Sequence, residues 1–117
     1  MKIIKRYIEC IAKDVEFWVG QNAKDNHDMI QKASIDSWWF HVKDNASAHV
    51  IVKLPNDITI DKKDLQKILV QGAVLMKQVS KYASTKNLQI TYAKLEDVVM
   101  TERAGEVTVM KSRVMVI

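Results

Sequence analysis

Apolar and polar positions alternate most clearly between Trp38 and Leu54, on either side of a polar break. Trp38–Val42 is aromatic and β-branched, Lys43–Ser47 is turn-forming, and Ala48–Leu54 is again rich in valine and isoleucine until Pro55 ends it. This pattern predicts a β-hairpin. Symmetric pairing across the loop sets Val42 opposite Ala48, His41 opposite His49, Phe40 opposite Val50 and Trp39 opposite Ile51. Side chains alternate along a strand, so Trp38, Phe40, Val42, Ala48, Val50, Val52 and Leu54 share one face, predicted to be core. Trp39, His41, Lys43, His49, Ile51 and Lys53 share the other, where flat rings mix with positive or proton-sharing groups. That combination suits stacked bases and phosphates.

The same reading extends to both ends of the chain. Met1–Gly20 reads as a first hairpin, with Ile4, Tyr7, Ile8 and Ile11 before the turn Ala12-Lys13-Asp14 and Val15, Phe17 and Val19 alternating after it. Gly20, Asn22, Asp25 and Asn26 tolerate turn geometry, and Asn26 is the expected cap of a short helix reaching Ala33. The clearest helix follows Asp61, an N-cap with Asp64 in the first turn. Leu65, Ile68, Leu69, Gly72, Ala73, Met76, Val79 and Ala83 form its buried stripe, and Lys63, Lys67, Lys77 and Lys81 lie opposite. Those lysines read first as a solvated face and second as a phosphate-contacting one. Beyond it, Leu88–Tyr92 alternates, Val98–Met100 is short, and Glu106–Met110 with Arg113–Ile117 reads as a closing hairpin over Lys111-Ser112. The expected fold is α+β, in the order ββαββαβββ, a mainly antiparallel sheet with one short and one long helix.

Composition narrows the function classes. A chain of 117 residues, 48% hydrophobic and 27% charged, is read as one domain over residues 1–117 with a single core. The net charge of +4 suits an anionic partner without requiring one. Cys10 stands alone, which excludes an internal disulfide and permits a reducing compartment. The opening MKIIKRYIEC does not read as a leader, and no stretch reaches membrane-spanning length, so a soluble, cytoplasmic protein with no membrane partner is expected.

Candidate chemistry is sparse. His41 and His49 supply two metal ligands with no evident third or fourth, so no metal and no cofactor is expected. Ser47, with His41 or His49 and with Asp36 or Asp44, supplies the residue types of a small hydrolase, but no nucleophile elbow or oxyanion loop surrounds the serine, and an enzyme is not expected. GQNAKDN is too poor in glycine for a nucleotide-type phosphate loop.

The run VGQNAKDNHDMIQKASIDSWWFHVKDNASAHVIV resembles the hallmark segment of the NFACT-R domain family, with matching positions at Gly20, Asn22, Ala23, Asn26, Asp36, Trp39, Phe40, His41, Ser47, Ala48, His49 and Val50. Ala73–Ser80, the strand Gln89-Ile90-Thr91-Tyr92 and the turn Gly105-Glu106-Val107 resemble later parts of the same domain. The segment Thr101–Ala104 is poorer in lysine than the family pattern.

What this resemblance implies is a non-enzymatic RNA-binding module. In the large NFACT proteins the domain takes part in ribosome-associated quality control, binding tRNA on the large ribosomal subunit. Small proteins built around it include one associated with DNA sensing. RNA, either tRNA or structured rRNA, is therefore the expected partner. Lys24, Lys43, Lys53 and Arg103 are expected at phosphates, Trp39 as a stacking surface, and His41 and His49, with Ser47 beside them, at backbone or bases. Gly20, Asn22, Asn26, Asp36, Phe40 and Gly105 are expected to shape the motif. DNA binding, a hydrolase built on Asp36, His41, Ser47 and His49, and a module docking on ribosomal proteins are the alternatives. Oligomeric state is not legible.

Overall fold

The computed structural model describes residues 1–117. Strand β1 (Lys2–Ile8) turns through a 3₁₀ segment, Glu9–Ile11, and Ala12 in the left-handed region (φ 52°) into β2 (Lys13–Gly20). Helix α1 (Ala23–Lys32) leads to β3 (Trp38–Val42) and β4 (His49–Lys53), and α2 (Lys62–Val79) follows. The tail holds β5 (Gln89–Lys94), β6 (Val98–Met100), β7 (Val107–Val109) and β8 (Arg113–Val116). The class is α+β; all four strand-like segments expected after α2 form strands, one more than the order ββαββαβββ counts.

Six strands form one antiparallel sheet in the order β1-β2-β4-β3-β5-β8. The central hairpin has the register that alternation predicts, with Trp39 opposite Ile51 and Phe40 opposite Val50. The predicted closing hairpin is not formed. β7 pairs with β6 in a separate two-stranded sheet, and β8 pairs with β5 at the edge of the main one. The cause is that the two strands pack on opposite sides: Val107 and Val109 lie against the Trp39 cluster, whereas Met115 and Ile117 lie against the Phe40 cluster.

The larger core holds Phe17, Phe40, Val50 and Val52 beneath Ile68, Leu69, Ala73 and Met76 of α2. The helix comes so close at Gly72 that an added Cβ would stand 2.5 Å from Phe40 Cζ. Its apolar stripe ends sooner than expected, because Ser80 caps the helix and leaves Ala83 outside it. A second cluster covers part of the other face, where Met29 and Ile30 of α1 and Val98 of the β6–β7 ribbon bury Trp18, Trp39 and Ile51. This second layer is the main departure from the picture of a sheet covered by one helix, and it decides which residues remain open. No helix is long and apolar enough to cross a membrane.

Candidate nucleic-acid interface

The second layer stops short of the β3–β4 turn and leaves an open cleft of about 520 Å³ over His41 and His49. Its walls are the turn residues Asp44, Asn45 and Ala46 on one side and Arg103–Val107 with Val109 on the other. A smaller recess of about 270 Å³ shares His41, Ala46, His49, Ala104 and Gly105, and extends to Asn22 and Ala23 at the start of α1. Gly105, at φ 79°, rests so closely on α1 that a Cβ would lie 2.9 Å from the Ala23 Cα. Three chain segments far apart in sequence therefore converge on the histidines.

His49 sits at the floor, 3% exposed. Its backbone N–H donates to Asn26 Oδ1 (3.3 Å), and the Asn26 side chain occupies the space left by Gly20, where an added Cβ would stand 2.1 Å from that oxygen. Asn26 is thus a buried residue inside α1 rather than its cap. The cap is Asn22, whose Oδ1 accepts from Asp25 N–H at 2.8 Å, so the helix starts one turn earlier than expected.

The His49 ring is fixed from below. Trp39 Nε1–H donates to His49 Nδ1 at 3.1 Å, and the two rings meet edge-on with centroids 5.4 Å apart. A neutral imidazole has one donor and one acceptor nitrogen, so this bond assigns the proton to Nε2. No protein group accepts from Nε2, on a residue that lines the cleft. Burial, then the charge of neighbouring His41, pushes the His49 pKa down to about 3, and burial also lowers that of His41. Both rings are therefore neutral near pH 7, and their centroids are 5.0 Å apart. His49 presents a fixed N–H donor in a poorly solvated floor, and it is too weakly basic to serve as a proton acceptor at neutral pH.

Several sequence expectations meet this geometry differently. Trp39 is not an open stacking surface: it is 3% exposed, with His41 stacked flat on it at 5.6 Å and 5°. The half-buried His41 ring takes the position nearest solvent. Ser47 is engaged in closing the turn, accepting from Val42 N–H (3.3 Å) and donating to the Ala48 carbonyl (2.9 Å). Asp36 lies at the opposite end of β3 from His41, in a groove with Asp14, Glu16 and Lys53, so the four hydrolase residues do not assemble. Lys53 is likewise at the far end of β4 from His49, over the Trp18 ring at 5.8 Å. Arg103 lines the cleft, Lys43 follows the last residue of β3 but lines neither the cleft nor the recess, and exposed Lys24 is in the first turn of α1 beside Ala23. Phe40 is fully buried in the α2-side core. The four lysines on and after α2 lie on the other side of the sheet. Within 117 residues no group of three or more His, Cys, Asp or Glu side chains is placed to hold a metal ion.

Glu106, Val107 and Val109 are cleft residues that sequence reasoning did not place in the site, and Asp44 entered it only as an acid of the hydrolase alternative. Asp44 also signalled itself as a turn-former, and it adopts φ 58°.

Comparison with known proteins completes the site. A solved structure described as the C-terminal part of the fibronectin/fibrinogen-binding protein from Streptococcus suis superimposes with a TM-score of 0.75 at 21% identity. The match covers 100% of this chain and 45% of that one, and at this identity it establishes the shared fold. No curated protein matched. The family model described as the NFACT protein RNA binding domain matches residues 7–114, which include every wall of the cleft and both histidines. The chain belongs to the NFACT RNA-binding domain family, and nucleic-acid binding is its general function.

Proposed function

We propose that this chain binds structured RNA, either tRNA or ribosomal RNA, through the cleft face, as a non-enzymatic module acting in the cytoplasm on the large ribosomal subunit. The observation that carries the reading is the unpartnered His49 Nε2–H at the floor of a cleft that Arg103 lines, with exposed Lys24 following Ala23 of the adjoining recess. Cations at the rim position a phosphate backbone, and a buried donor reads what the backbone presents. The engagement of the Ser47 hydroxyl in the turn, its separation from Asp36 and the low basicity of His49 support binding rather than hydrolysis. A role in ribosome-associated quality control is the finer part of this reading.

Titration of labelled tRNA, with single-stranded and duplex DNA as competitors, tests it. The expected result is tRNA binding that DNA displaces only at much higher concentration. Equal competition by all three nucleic acids would instead assign the protein to general nucleic-acid or DNA binding.

A further inference from the structure

We propose that the cleft takes one unpaired nucleobase, gripped along its hydrogen-bonding edge, while the attached phosphates stay outside at the rim. This rests on the RNA reading above and specifies which part of the RNA enters.

The charges inside the cleft separate base from phosphate. One guanidinium, Arg103, lines it against two carboxylates, Asp44 and Glu106, and the floor histidines are uncharged near pH 7. A phosphate in that space would face more negative than positive charge. A nucleobase edge instead presents ring nitrogens or carbonyl oxygens that accept hydrogen bonds, beside N–H groups that donate them. The His49 Nε2–H matches the first kind of group and the carboxylates the second. The remaining lining includes Ala46, Val107 and Val109, suited to the faces of a flat ring.

Size and access agree. About 520 Å³ lies within the range of roughly 300–1,000 Å³ typical of small-molecule sites. A base inside a duplex has its pairing edge occupied and is held in the stack, so only a bulged, looped or terminal nucleotide reaches the His49 floor.

The test uses two RNA hairpins with the same number of phosphates, one carrying a single bulged 2-aminopurine and the other fully paired in its stem. The native protein should bind the bulged hairpin about tenfold more tightly, with a change in 2-aminopurine fluorescence. Ala46 is exposed on the turn and lines the cleft, so Ala46→Phe plugs the opening without touching the core. It should bring the affinities for the two hairpins to within about twofold of each other. Equal affinity of the native protein for the two hairpins, or a preference that survives in Ala46→Phe, would overturn the nucleobase site alone. Failure of both hairpins to bind would overturn the RNA reading and this inference together.

Discussion

The pair Trp39 and His49 shows how much one buried hydrogen bond settles. By accepting from Trp39, His49 is locked as a neutral donor, and burial holds its pKa down at about 3 from 6.5. The unfolded chain takes up this proton near pH 6.5 and the folded chain resists it, so the contribution is complete above pH 6.5 and is lost as pH falls. His41 shifts in the same direction. Chemical denaturation should therefore give a stability lower by about 1 kcal/mol at pH 5.5 than at 7.5 from His49 alone. His49→Gln, which keeps a carbonyl for Trp39 and an N–H for the cleft, should remove most of that difference; an unchanged acid limb would contradict the neutral, buried assignment. Trp39→Ala should destabilise the fold by about 3–5 kcal/mol, since it empties a site that three elements cover. Measured stability within about 1 kcal/mol of the parent would place Trp39 outside the core. Alternation alone put His41 and His49 side by side. It could not show that α1 and the β6–β7 ribbon roof over Trp39, because that packing comes from residues distant in sequence.

Among the elements, α1 carries the clearest correction and a sharp test of it. Asn22 and Asn26 are both plausible caps by residue type, and only the fold distinguishes an exposed cap from a buried acceptor for the β4 backbone. Asn22→Ala should cost about 1 kcal/mol, the usual loss of a cap. Asn26→Ala should cost more, about 1–3 kcal/mol, because it strands the buried His49 N–H in a gap beside Gly20. Thermal or denaturant unfolding of both variants checks the ranking, and the reverse order would restore Asn26 as the cap. The long helix was legible because Asp61 and a 3.6-residue stripe agree on it. The last two strands were misread because two short apolar runs across Lys111-Ser112 resemble a hairpin, while their partners are fixed by packing: β7 closes the Trp39 cluster and β8 extends the main sheet.

At the scale of the whole molecule, with a net charge of +4, two places are candidates for meeting a phosphate backbone, and the sheet lies between them. One is the histidine cleft, lined by Arg103, with Lys43 just beyond the end of β3; the other is the solvent side of α2 with Lys63 and Lys67. Either could contribute nonspecific affinity, but only the first adjoins an open donor. The decisive measurement is the affinity for tRNA as a function of salt in two double variants, Lys43→Ala with Arg103→Ala and Lys63→Ala with Lys67→Ala. Every phosphate that is no longer neutralised flattens the log–log slope by about 0.7–0.9. The cleft variant should lose about 1.4–1.8 units of slope, and the helix variant should follow the parent. A flattened slope in the helix variant beside an unchanged one in the cleft variant would move the RNA site to α2 and contradict the assignment of the histidine cleft.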